Sequence, residues 1–186
     1  MYRTDTNITC ELKTKSRPHV VILGAGASCA AIPKGDKNGK KISAMRGFID
    51  EFGLRIALDR IELHTKSDNL EDIYMELDSR SNDEPECNKV KYELDSSIRR
   101  YMSEYQLPDE PNIYDFLVLG LTSKDLIATF NWDLFLVQAM QRASRFVNRE
   151  SLPQVVFLHG NVFIGYCAKC KQIGYINSVC RNGHLL

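Results

Sequence analysis

The sequence predicts an α/β fold in which helices flank a parallel β-sheet. Three short apolar runs support this fold class: HVVILG at 19–24, DLIATF at 125–130 and QVVFLHG at 154–160. Short runs rich in branched apolar side chains and bounded by glycine or polar residues are typical of buried parallel strands. A helical pattern from Trp132 to Phe146 separates the second run from the third. Strands that alternate with helices along a chain usually form a parallel sheet.

The stretch between the first and second predicted strands is expected to be mainly helical. Apolar residues recur there at spacings of three and four, which places them on one face of a helix and in the core. A lysine- and glycine-rich segment at 34–41 is predicted to be a mobile polar loop, and a polar segment at 79–86 a surface loop. The three apolar stripes are Ile42, Met45, Phe48, Ile49, Phe52 and Ile56; Leu70, Ile73, Tyr74 and Leu77; and Leu94, Ile98, Tyr101, Met102 and Tyr105.

Composition and charge exclude several classes of protein. The 186 residues suffice for one domain with a sizeable core, and 44% hydrophobic with 26% charged residues is ordinary globular composition. Lys plus Arg and Asp plus Glu both number 24, so no net charge attracts nucleic acid or an anionic membrane. The N-terminus has no apolar segment of signal-peptide length, and no run approaches the roughly 18 apolar residues of a membrane helix. We therefore expect a cytoplasmic protein without a nucleic-acid or membrane partner.

The cysteine pattern indicates a zinc site towards the end of the sequence. Three of the six cysteines are scattered and three cluster, which is unlike the disulfide framework of a secreted protein. Cys167 and Cys170 form a Cys-x-x-Cys pair, and Cys180 and His184 follow after a nine-residue connection. A closed set of three thiolates and one imidazole suits a structural zinc ion, since no position is left for water. The alternative is two surface thiols and an incidental histidine.

The segment GAGAS at 24–28 follows the first predicted strand. Glycines in a turn from strand to helix let the backbone approach a pyrophosphate closely, and the N-terminus of the next helix offers free N–H groups. The Ser28 hydroxyl adds a hydrogen-bond donor. A dinucleotide fingerprint has a third glycine where this chain has Cys29, so the segment is equally compatible with a tight turn that packs the helix on the strand.

Polar residues also follow the second and third predicted strands. The segment TFNWD at 129–133 places Asn131 and Asp133 beyond the second strand, and His159 lies beyond the third. Since sites in open parallel sheets lie beyond the carboxyl ends of strands, we expect these side chains to face the same crevice as the glycine turn. Asn131 could orient a ribose or a water, or Asn131 or Asp133 could cap the next helix. His159 can take a proton from a ribose hydroxyl near neutral pH, or it can be a satisfied structural histidine.

The order of these motifs resembles that of the sirtuin (Sir2-like) NAD-dependent enzymes, and in particular of bacterial Sir2-like proteins. That family has GAG-x-S, then T-x-N-x-D, then His-Gly, then a cysteine zinc module, and this chain has GAGAS, TFNWD, HG and CAKC in the same order. The resemblance implies a Rossmann-like, NAD-binding sheet and a structural Zn²⁺. The roles that it implies are NAD pyrophosphate binding for Gly24, Ala25, Gly26 and Ser28, positioning of the nicotinamide ribose for Asn131 and Asp133, and general base for His159.

Departures from the family pattern favour one activity. The family breaks the nicotinamide glycosidic bond through an oxocarbenium-like transition state, and an acyl-lysine carbonyl or water captures the ribose carbon. Its deacylases have Gly-Ile-Pro-Asp-Phe-Arg after the glycine turn and Gln before the key Asn, where this chain has AIPKGD at 31–36 and Phe130. We therefore expect an NAD hydrolase. The alternatives are an NAD-dependent protein-lysine deacylase, with an acylated protein as its partner, and a noncatalytic module that binds NAD or ADP-ribose.

The expected organisation has three parts. They are a flexible leader at 1–17, a Rossmann-like NAD-binding domain at 18–164 and a zinc-binding module at 165–186. The family's sheet continues after the zinc module with a Gly-Ser or Gly-Thr-Ser turn and an asparagine that binds the adenosine ribose. The sequence given ends at Leu186, so we expect an NAD cleft that is incomplete or that a partner chain completes.

Overall fold

The protein has a mixed α/β structure, and the expected parallel sheet with flanking helices is confirmed. The computed structural model describes residues 17–42, 47–167 and 169–175. Within this part of the chain no helix is long and apolar enough to cross a membrane. The elements in chain order are β1 (Val20–Leu23), α1 (Ala25–Ala31), α2 (Phe48–Glu51), α3 (Arg55–Leu58), α4 (Leu70–Arg80), α5 (Pro85–Ser103), α6 (Ile113–Gly120), β2 (Leu126–Thr129), α7 (Phe135–Ala143), a 3₁₀ turn (Arg149–Ser151), β3 (Gln154–Phe157), β4 (Ile164–Cys167) and β5 (Gln172–Tyr175).

The parallel sheet has the strand order β1-β2-β3. Residues in register on neighbouring parallel strands point to the same face of a sheet. Ile127 and its neighbour Val155 contribute to the hydrophobic core on one face. On the opposite face Ile22 and Val156 lie in one row, and 66% of Ile22 and 43% of Val156 are exposed. The described part of the chain therefore buries one face of the sheet much more than the other.

The stripes predicted between the first two strands form much of the core. The second stripe lies on α4 and the third on α5, except for Tyr105, which follows α5; the two helices pack against each other. The surface loop predicted at 79–86 is shorter than expected, because α4 continues to Arg80 and α5 begins at Pro85. The buried residues of these two helices are Leu70, Ile73, Leu77, Cys87, Val90, Leu94, Ile98 and Met102.

The first predicted stripe does not form a single helix. It is divided between the four-residue helices α2 and α3, which Gly53 separates with a positive φ of 65°. A left-handed residue of this kind ends a helix. Phe48 and Ile49 are buried as expected, whereas Ile56 is exposed, and Met45 lies outside the described residues.

The polar segment after α1 is tied down by Asp36, although the sequence predicts a mobile loop. The carboxylate of Asp36 accepts hydrogen bonds from the backbone N–H groups of Asn38 and Lys40, both at 2.8 Å. Its second oxygen accepts the N–H of Gln106 at 3.2 Å. The buried carboxylate thereby attaches this loop to the segment that follows α5.

Candidate functional site

The segments that follow the three parallel strands lie side by side at one edge of the sheet. The ladder continues past the strand ends, because Phe130 N donates to Leu23 O at 3.0 Å and Leu158 N donates to Thr129 O at 2.8 Å. A cavity of about 190 Å³ lies at this edge. The predicted site residues in its wall are Ala25, Ser28, Asn131, Asp133 and His159.

Asn131 is held in one orientation by its side-chain amide. Its Nδ2 donates to Gly24 O at 3.0 Å and also lies 2.8 Å from Ser28 Oγ and 3.2 Å from Tyr114 OH. Since a backbone carbonyl only accepts, the amide nitrogen must face Gly24 and the amide oxygen must face away from it. The oxygen has no hydrogen bond within the described residues, where every buried side-chain oxygen has a partner. Although only 9% of Asn131 is exposed, its oxygen therefore remains accessible to the cavity.

Ser28 connects Asn131 to Asp133. Its Oγ donates to Asp133 Oδ2 at 2.6 Å, which uses the single hydroxyl hydrogen. The same oxygen lies 3.0 Å from Tyr114 OH, so it accepts from both Tyr114 and Asn131. Ser28 is 1% exposed, and its hydroxyl would have to leave Asp133 before it could donate to a phosphate.

Asp133 connects this network to the start of the next helix. Its Oδ1 accepts the N–H of Phe135, the first residue of α7, at 3.1 Å. The N-cap position itself is Leu134, so Asp133 accepts the first helical N–H from one residue before the N-cap. Burial raises the pKa of the Asp133 carboxyl above its usual value, while the hydrogen bonds from Ser28 and Phe135 oppose this rise.

Tyr114 is a member of the network to which the sequence alone gives no role, since its aromatic ring suits the core as well as a pocket. It is almost fully buried, and burial together with the neighbouring Asp133 raises the pKa of its phenol to about 12. The phenol therefore keeps its proton at neutral pH and can donate to Ser28. A capping box of Asn112 and Asp115 fixes the start of α6, but no local pattern marks the contact with Ser28, 86 residues away.

The glycine turn leaves space next to the backbone. Gly24 is extended, with φ −118° and ψ −175°, a conformation open to any residue. A Cβ added to Gly24 or to Gly26 would meet no heavy atom within 4 Å. Neither backbone conformation nor packing requires these two glycines, so a ligand can approach the main chain closely at this point.

His159 lies in a turn directly after β3. Gly160 N donates to Phe157 O at 3.2 Å and closes the turn, and the φ of 77° at Gly160 explains the glycine after the histidine. His159 is exposed and is not packed in the core. Its ring centroid lies 4.9 Å from that of Phe130 at an interplanar angle of 69°. His159 thus stands in the cavity wall near the segment that carries Asn131.

Two of the four predicted zinc ligands lie outside the described residues. Cys167 ends β4, which pairs antiparallel with β5, and Cys170 lies in the turn between them. Cys180 and His184 fall in the part of the chain that is not described. Within residues 17–42, 47–167 and 169–175, no group of three or more His, Cys, Asp or Glu side chains could hold a metal ion. The complete Cys₃His set stays a prediction.

Comparison with known proteins assigns no family to the chain. No protein-family model matches it, and no curated protein matches it. Functional inference therefore depends on the order of the motifs and on the geometry of the cavity.

Proposed function

We propose that this chain is a Sir2-like, NAD-binding enzyme that hydrolyses the nicotinamide glycosidic bond of NAD. One observation carries the proposal: the oriented side-chain oxygen of Asn131 and the exposed His159 share a cavity at the carboxyl edge of a parallel sheet. Ligands of open parallel sheets bind at this edge. The sheet would be the centre of a Rossmann-like domain, and the reaction would take place in the cytoplasm, where thiols stay reduced.

The reaction needs an acceptor for hydrogen bonds and an acceptor for a proton. The bond between the ribose carbon and the nicotinamide ring nitrogen breaks, and its electron pair leaves with nicotinamide. Water adds to the ribose carbon and loses a proton, so that NAD and water give nicotinamide, ADP-ribose and one proton. The Asn131 oxygen would accept a hydrogen bond from a ribose hydroxyl or from the water, and His159 would take the proton.

The cavity is too small to enclose all of NAD, so two parts of the dinucleotide would bind at different positions. Its volume of about 190 Å³ is below the roughly 300 Å³ at which pockets begin to enclose a drug-sized ligand. The cavity would hold the nicotinamide-ribose end, and the open main chain at Gly24, Ala25 and Gly26 would meet the pyrophosphate. Ser28 and Asp133 would act by orienting Asn131, since their polar atoms already bond to each other and to the start of α7.

Nicotinamide release tests the proposal directly. The purified chain is incubated with NAD, with and without an acylated peptide, and nicotinamide is measured by chromatography. We expect peptide-independent release that falls by about 100-fold or more in His159→Ala and in Asn131→Ala, because a general base contributes about that much. Near-ultraviolet circular dichroism checks that both variants remain folded. The matched controls His64→Ala and Asn88→Ala change exposed residues that do not line the cavity.

Three other outcomes would contradict hydrolysis. Release that requires the peptide would indicate a deacylase. Binding of NAD in calorimetry without release would indicate a noncatalytic module. If the chain neither binds NAD nor releases nicotinamide, NAD is not its ligand and the proposal fails altogether.

We also propose a structural Zn²⁺ held by Cys167, Cys170, Cys180 and His184. The spacing of the ligands supports it, as does the position of Cys167 and Cys170 on one short hairpin. Metal analysis of reduced protein should find one zinc per chain, retained in His159→Ala and lost in His184→Ala. Less than one zinc per chain in the unmodified protein would contradict the site.

A further inference from the structure

We propose that Phe130 is a positioning residue that holds the ring of His159 for proton transfer. This inference rests on the proposed function, in which His159 is the base. Phe130 and His159 contact each other edge to face, with ring centroids 4.9 Å apart and planes at 69°. This is a favourable arrangement for two aromatic rings. Phe130 also lies in the cavity wall and is 44% exposed, so burial in the core does not explain a phenylalanine here.

A base in this position needs something to orient it. A histidine base is usually held by a third group that accepts its other ring N–H. His159 makes no hydrogen bond with any other described residue, and its only ring contact there is Phe130. Catalytic side chains must stay within about 10–20° of the productive orientation. The aromatic contact is what provides this restraint within the described chain.

The backbone holds the segments that carry the two rings in register with the sheet. Phe130 N donates to Leu23 O at the end of β1, and Leu158 N donates to Thr129 O at the end of β2. These bonds continue the parallel ladder by one step on each side, so the segments that carry Phe130 and His159 cannot slide past each other. Because Phe130 directly precedes Asn131, one short segment sets both the hydrogen-bond acceptor and the orientation of the base.

Two substitutions separate positioning from substrate contact. Phe130→Leu keeps an apolar side chain of similar size but removes the aromatic contact, and Phe130→Tyr keeps the ring. Steady-state kinetics should show kcat lowered roughly 2- to 10-fold in Phe130→Leu, the range that corresponds to the loss of one aromatic pair. KM for NAD should stay unchanged, and Phe130→Tyr should behave like the unmodified protein. Phe146→Leu is the matched control, since Phe146 is exposed and lines none of the cavities near the site.

A second readout does not depend on catalysis. The C–H protons of the His159 ring are assigned by comparing proton spectra of the unmodified protein and His159→Gln. We expect their ring-current shift to disappear in Phe130→Leu and to persist in Phe130→Tyr and Phe146→Leu.

The outcomes distinguish the two proposals. Unchanged His159 resonances in Phe130→Leu would overturn the positioning role. A rise in KM that accounts for the whole loss of kcat/KM would also overturn it, because Phe130 would then be a substrate contact. If the unmodified protein releases no nicotinamide, the proposed function fails, while the spectra still decide whether Phe130 holds the ring.

Discussion

At the scale of single residues, the Ser28 hydroxyl helps to determine the orientation of the Asn131 side-chain amide. It gives its hydrogen to Asp133 and accepts from Asn131 and Tyr114, so the amide oxygen of Asn131 is left for the cavity. All four residues are buried, so bulk water is a poor substitute for a lost partner. A buried network of this kind is stable only while each member keeps its partners.

Removing the Ser28 hydroxyl should destabilise the fold in a pH-dependent way. We expect Ser28→Ala to lower the free energy of unfolding by about 1–3 kcal/mol at pH 7, because Asp133 Oδ2 and the amide of Asn131 each lose one hydrogen bond. The Ser28 hydrogen bond lowers the pKa of Asp133, so its loss would raise that already elevated pKa further. A raised folded-state pKa gives stability that is present in acid and lost as the pH rises through it. The unfolded pKa of Asp133 is the same in both proteins, so the deficit of the variant should grow as the pH rises through the raised folded-state pKa of Asp133.

Urea denaturation at several pH values measures this difference. Ser79→Ala is the matched control, since Ser79 is exposed on α4 and donates only to Glu76 O in the preceding turn. A deficit of Ser28→Ala that is the same at pH 4 and pH 7 would show that Asp133 is not coupled to Ser28.

The site residues that directly follow a strand could be predicted from the sequence. Asn131, Asp133 and His159 follow apolar runs, and parallel strands bring such positions to one edge. Tyr114 lies in a helix far along the chain, and its contact with Ser28 depends on how α6 packs beside α1. The inward direction of the Ser28 hydroxyl could not be predicted either. The segment GAGAS does not show whether this hydroxyl donates to a ligand phosphate or to another side chain of the protein.

At the scale of elements, the strands were predictable and the short helices were not. Each apolar run contains its strand with two or three extra residues, since the run marks burial more than hydrogen bonding. The helix predicted from Trp132 begins only at Phe135, where the side chain of Asp133 accepts the N–H of Phe135. The loop at 34–41 was predicted to be mobile because composition shows its polarity but not the long-range bond from Gln106 to Asp36.

This loop requires glycine at one position for steric reasons. Gly35 has a φ of 106°, and a Cβ there would lie 2.6 Å from backbone atoms of Gly39. Gly39 also has a positive φ, 79°, but open space around its own Cβ position. We expect Gly39→Ala to cost about 1–2 kcal/mol from backbone strain alone, and Gly35→Ala to cost more because the loop must also move. Thermal unfolding measures both, and equal losses would show that the loop does not hold this conformation.

At the scale of the whole molecule, the two faces of the parallel sheet differ. Parallel sheets usually have both faces covered, and the continuous apolar runs predict strands of this kind here. The described chain buries Ile127 completely on one face, yet leaves 64% of Val20 and 66% of Ile22 exposed on the other. The run HVVILG could not reveal this asymmetry, because alternate residues on both faces are apolar.

The same substitution placed on each face should have different effects. Threonine keeps the branched side chain that suits a strand, so Ile22→Thr should change the free energy of unfolding by no more than about 0.5 kcal/mol, as exposed substitutions usually do. Ile127→Thr should lower it by about 2–4 kcal/mol, because it removes a buried methyl group and buries a hydroxyl. Ile22→Thr should also reduce the binding of a dye that fluoresces on apolar surface, at unchanged circular dichroism. Equal destabilisation by the two substitutions would show that the face carrying Ile22 is covered in solution, and the dye would then fail to bind the unmodified protein.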